Sequence, residues 1–165
     1  MESKKYQRLL LQIEKTEKPG FLSKGIRLDV YAEDESGTIF NLELQNEDTK
    51  ELMQRARYYH STMDTQYFKE GDDYIDIHNS YVIFICLKDI FGLGWYRYKV
   101  KHTVAGGNAY DNGSHTIFFN TKGYQGEVSS EAKAILAYIE DGTIGDDPFV
   151  QELAAEVERV KNNEK

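Results

Sequence analysis

The chain has 165 residues, 40% hydrophobic and 13% aromatic, with a net charge of −8, enough for one domain with a core. A chain this acidic has no general electrostatic grip on nucleic acid, so any DNA contact must be local. No stretch reaches the roughly 18 apolar residues of a membrane span, and the amino terminus "MESKKYQRLL" lacks the apolar core of a signal peptide.

In chain order, "RLLLQIEKTE" (8–17) reads as a strand leading to the Pro19-Gly20 turn. "GIRLDVYAEDESGTIFNLELQ" (25–45) reads as a hairpin. Side chains alternate along a strand, so Leu28, Val30 and Ala32 lie on one face of the first strand, as Phe40, Leu42 and Leu44 do on the second. Those sets coincide only in a register of one parity. A loop of about three residues centred on Ser36, closed by Gly37 at positive φ, supplies it. Asp29 then lies opposite Glu43, Arg27 opposite Gln45, and Tyr31 opposite Asn41.

"EDTKELMQRARYYHSTMDTQ" predicts a helix over 49–65 with Asp48 as N-cap and Glu51 at capping-box spacing. Leu52, Ala56, Tyr59 and Met63 form its apolar stripe, with Arg55 and Tyr58 flanking. "YVIFICLKDI" (81–90) has the continuous apolar character of a central strand covered on both faces, and the intervening helix permits a parallel crossover. The single cysteine, Cys86, falls in this run without a disulfide partner in the chain; it reads as a buried small hydrophobe and fits a reduced, cytoplasmic setting.

"GWYRYKVKH" and "HTIFFNT" predict a second hairpin, joined by "TVAGGNAYDNGS", which is too polar to pack and reads as a mobile loop. Two helices follow: one with Ser129 or Ser130 as N-cap, Gly142 as stop and a stripe of Ala132, Ile135, Leu136 and Ile139. The other opens with Asp147 and Pro148 and carries Val150, Leu153, Val157 and Val160. The class is therefore α/β, in a single domain spanning 1–165.

Which chemistry could this chain carry? His60, His78, His102 and His115 show no metal-ligand spacing, and neither "GLG" nor "AGG" is a phosphate cradle. Trp95, Tyr96 and Tyr98 alternate with Arg97 and Lys99; a half-buried ribbon outweighs a nucleic-acid stacking surface there. Asp29 facing Glu43 repels by about 0.2–1 kcal/mol, and Arg27 or a divalent cation with hard oxygen ligands would compensate. On the pattern alone, a solvated face scattered with charge is favoured over a metal site.

The ordering shifts that balance: a strand, a hairpin bearing Asp then Glu-x-Gln, a helix with Arg and Tyr, and a buried parallel strand. It resembles the PD-(D/E)XK nuclease family transposases, the Rpn-like recombination-promoting nucleases. "KGIRLDVYAEDESGTIFNLELQ" is similar to their nuclease hairpin, "QRARYYHSTMDTQ" to the following helix, and "SYVIFICLKDIFGLGWYRY" to the next strand and connection. "HTIFFNTKG", "EVSSEAKAILAYIEDG" and "DDPFVQELAAEVERVK" extend the likeness to the carboxyl end.

The resemblance implies a restriction-endonuclease-like core over about 9–90, a mixed central sheet flanked by helices, and a carboxyl-terminal extension over about 91–165 with a hairpin and two helices. It implies a metal-dependent DNA endonuclease domain of a mobile-element protein. Asp29, Glu43 and the backbone carbonyl of Leu44 would hold Mg²⁺ or Mn²⁺, and Gln45 would complete the catalytic set in place of the usual lysine, a variant this family itself uses. Arg55 and Arg27 would contact DNA. The alternative is a catalytically degenerate domain kept as a DNA- or protein-binding module. Members usually carry an upstream helix and a further acid, whereas only "MESKKYQR" precedes the first predicted strand, with Glu14 the nearest acid. The expectation is a core and tail without the family's head, one sheet face left bare, and a homo-oligomer that covers it.

Overall fold

The computed structural model describes residues 29–163. The strand expected at 8–17, the Pro19-Gly20 turn, Glu14, Arg27 and Leu28 lie outside them.

Strand β1 (Asp29–Glu33) and strand β2 (Ile39–Gln45) form the hairpin. Its register is the one parity predicts, with Asp29 opposite Glu43 and Tyr31 opposite Asn41. The turn is closed by Gly37 N–H on Asp34 O at 2.9 Å, with Gly37 at φ 79°. Asp34 Oδ1 also accepts from the N–H groups of Ser36 and Thr38. A turn so fully bonded leaves no slack for a register slip.

Helix α1 (Leu52–Tyr67) crosses over to strand β3 (Ser80–Cys86), which pairs parallel with β2. The helix begins later than capping chemistry suggests. Asp48 Oδ1 accepts from Lys50 N–H in a local turn, and Lys50 takes φ 61°. That left-handed residue cannot continue into the helix, so Glu51 becomes the N-cap, without a side-chain cap bond. The Glu51 carboxylate turns instead to Arg55, one turn on.

Strand β4 (Arg97–Lys99) and strand β7 (Ser114–Asn120) are antiparallel partners, as expected of the second hairpin. β7 also pairs parallel with β3, so both join one five-stranded mixed sheet in the order β1-β2-β3-β7-β4. β3 is the central strand. The polar connection expected as a loop makes its own two-stranded ribbon, β5 (His102–Thr103) with β6 (Ala109–Tyr110), exposed throughout.

Helices α2 (Ser130–Asp141) and α3 (Pro148–Asn163) complete the fold. Ser129 Oγ accepts from Ala132 N–H at 3.1 Å, Gly142 ends α2 in the left-handed conformation, and Asp147 Oδ1 accepts from Val150 N–H at 3.0 Å. These are the predicted caps.

α1 packs on the face formed by Ile39, Val82, Phe84, Cys86 and Phe118, while Leu136 and Ile139 of α2 pack with Leu42, Leu44, Ile85 and Phe119 on the other. Helices thus lie on both faces, and no observation among the described residues calls for a second copy to cover the sheet. None of the described helices is long and apolar enough to cross a membrane.

Candidate active site

Glu43, on β2, shares the strand face of Ile39 and Gln45, which α1 covers. That cover decides its environment. Glu43 is 9% exposed, and among the described residues three side chains converge on it. Arg55 Nη1 donates to Oε1 at 2.7 Å, Gln45 Nε2 donates to the same oxygen, and Tyr59 OH donates to Oε2 at 2.8 Å. Arg55 and Tyr59 reach the same carboxylate because residues four apart share a helix face.

Arg55 uses its second nitrogen on Glu51 Oε1 at 2.9 Å. Burial alone would lower its pKa, yet the bond to Glu51 and the charges of Glu43, Tyr59 and Glu51 push it above the ordinary guanidinium range. The positive charge is therefore fixed.

Asp29 holds the register position opposite Glu43, and Gln45 lies opposite Cys86 on β3. The Cys86 thiol is buried, which pushes its pKa up to about 12, followed in effect by Asp48, Asp89 and Glu43; it packs as a small apolar side chain in the core beneath α1. Among the predicted site residues, Glu43, Gln45 and Arg55 are brought together, Asp29 joins them by register, and Arg27 lies outside the described residues. Tyr59 was expected only as part of an apolar stripe. Its spacing from Arg55 was the available signal.

Sequence reasoning also passed over His60. It is 8% exposed, with Nδ1 2.7 Å from Ser80 Oγ and Nε2 3.0 Å from Thr116 Oγ1, tying α1 to β3 and β7. Burial, then the nearby His115 and His102, lower its pKa to about 4.

A family model described as PD-(D/E)XK nuclease family transposase matches residues 7–105. The chain belongs to this family. The matched span is more than half of the chain and includes β1, β2, α1 and β3, and with them Asp29, Glu43, Gln45, Arg55 and Tyr59. The transposase-family fold is restriction-endonuclease-like, and the mixed sheet with helices on both faces fits it. Strand β7 and helices α2 and α3 lie beyond the matched span. Neither curated proteins nor solved structures gave a match.

Nucleases of this kind typically use divalent metals. Among the described residues, no group of three or more His, Cys, Asp and Glu could hold a metal ion. The donor chemistry nevertheless fits a hard cation: a cross-strand Asp29–Glu43 pair and the neighbouring Leu44 carbonyl are all oxygen donors. Asn41 Oδ1, two positions from Glu43, is also buried without a hydrogen-bond partner among the described residues.

Proposed function

We propose that this domain is a metal-dependent DNA endonuclease that hydrolyses phosphodiester bonds, acting in the cytoplasm as part of a transposase-like protein. The observation that carries this reading is the buried Glu43, held by Arg55, Tyr59 and Gln45 directly across from Asp29 within the family-matched hairpin.

Asp29, Glu43 and the Leu44 carbonyl would hold Mg²⁺ or Mn²⁺, and the chemistry such an ion supplies is polarisation of the phosphodiester and activation of water for in-line attack. Tyr59 fixes one oxygen of Glu43 and so its orientation. Gln45 is uncharged; its amide orients water or a phosphate oxygen but cannot neutralise charge. Arg55 can exchange its bond to Glu43 for a substrate phosphate, since its planar fork suits either partner. In this reading residues 1–165 form a single nuclease-like domain.

A second reading has one observation in its favour: the chain's own side chains already satisfy Glu43. An acid held this way is stable without metal, as a degenerate binding module would require.

Incubation with supercoiled plasmid separates the two. The purified chain should nick it with Mg²⁺ or Mn²⁺ and not with EDTA, and Asp29→Ala and Glu43→Ala should each lower the rate at least about a hundredfold. Nicking that survives in both variants would reject the assigned site.

A further inference from the structure

Beyond the Glu43 site, the loops that follow β3 and β7 carry Trp95, 45% exposed, and Tyr124, 75% exposed. Each ring rests on a glycine of the opposite loop. A Cβ on Gly94 would come within 2.4 Å of the Tyr124 ring, and one on Gly126 within 2.5 Å of the Trp95 ring. Each ring therefore has backbone on one side while remaining open to solvent.

The loop beneath is tightly held: Asp89 accepts from the N–H groups of Phe91, Gly92 and Gly94 and from Tyr98 OH, and Gly94 O accepts from Tyr124 and Gln125. Tyr96 and Tyr98 are half-buried and belong to the packed layers, and Phe91, though partly exposed, rests its ring against Tyr98 and Phe118, so in these two loops Trp95 and Tyr124 are the rings with an open face.

Charge identifies the occupant. Lys88 and Lys122 nearby are paired with Glu47 and Glu140. Arg97, Lys99 and Lys101, running from Trp95 along and beyond edge strand β4, are exposed and make no ion pair among the described residues. Lys99 is felt by Asp111 only as a Coulombic neighbour. In a chain of net charge −8, an edge strand lined with unpaired cations is a local exception. The platform also sits where β3 and β7 end, the same end of the parallel strands as Glu43 and Gln45 and about three strand spacings, ~14 Å, across the sheet, while Arg97 and Lys99, opposite Phe119 and Ile117, lie on the sheet face away from Glu43.

We propose that Trp95 and Tyr124 stack the bases of an unpaired DNA strand whose backbone follows Arg97, Lys99 and Lys101. Planar rings with an exposed face accept any base, and neighbouring cations track the phosphates, which gives strand-state preference without sequence preference. The site thereby selects frayed, flapped or single-stranded DNA over intact duplex. The proposal rests on the nuclease reading for the choice of DNA as its polymer.

Trp95 is the only tryptophan, so its emission reports directly. Titrating the full chain with oligo-dT in EDTA, where no cleavage occurs, should quench Trp95 saturably, with affinity falling as salt rises. Tyr124→Ala, which keeps the reporter and removes a mostly exposed ring, should weaken oligo-dT binding about tenfold while leaving duplex binding unchanged. Lys99→Ala should weaken both and reduce the salt slope by about one. Binding seen by anisotropy of a labelled oligonucleotide without any change in Trp95 emission would overturn the proposal. So would the absence of binding at about 100 µM strand, or a concentration-dependent blue shift without DNA, which would assign the surface to self-association. Quenching in EDTA does not require Asp29 or Glu43. A failed platform therefore leaves the plasmid result standing, and a failed plasmid result leaves the platform standing.

Discussion

Arg55→Leu should cost about 3 kcal/mol of folding free energy at neutral pH, and adding Glu43→Gln in the same chain should return most of it. The Glu43 side chain is 12% exposed and that of Arg55 25%. Removing the cation leaves a desolvated carboxylate with Gln45 and Tyr59 as its donors among the described residues. Breaking a fully buried pair costs about 3–5 kcal/mol, and the partial exposure of Arg55 puts this one at the low end. Its second bond, to exposed Glu51, adds only about 0.3–0.5 kcal/mol. Urea unfolding of the two single variants and the double variant gives the coupling energy. A solvated helix cation would instead cost under about 0.5 kcal/mol and show no coupling.

Acidification should expose His60 as the second large contribution. Above pH 6.5 the imidazole is neutral in both folded and unfolded chains. Below it, the unfolded chain binds a proton that folded His60 accepts only near pH 4, so the unfolded state gains and stability falls as pH drops. Between about pH 7.5 and about pH 4.5 the loss should be about 2–3 kcal/mol. Carboxylates titrate in the same window, so the comparison is with His60→Gln, whose amide keeps a polar partner near Ser80 and Thr116 and does not ionise. Urea midpoints at the two pH values should show the wild type losing more than the variant by that amount. Equal losses would place the His60 proton elsewhere in the energetics.

The reach and the failure of sequence reasoning have the same origin. Alternation fixed which hairpin residues share a face, and the turn around Ser36 and Gly37 fixed the register; both are local and both match. What lies above a face is not local. Asn41, Glu43 and Gln45 read as a solvated polar face, but α1 covers it, and Glu43 is compensated by Arg55 and Tyr59. Those two residues, spaced by four, were the legible hint. His60 had none, because Ser80 and Thr116 stand 20 and 56 residues away along the chain. The start of α1 was misplaced because Asp48 offered a cap while Lys50 adopted a conformation that no helix admits.

The claim that Asp29 and Glu43 form a metal site is tested most directly by thermal melts of wild type and Asp29→Asn, with EDTA and with Mn²⁺. In EDTA the variant should be equal to wild type or more stable by up to about 1 kcal/mol, since one of two facing charges is gone. With Mn²⁺ at a hundredfold excess over Kd, wild type should gain about 2.7 kcal/mol and the variant should lose most of that gain. Equal metal responses in the two proteins, or no response in either, would contradict the account.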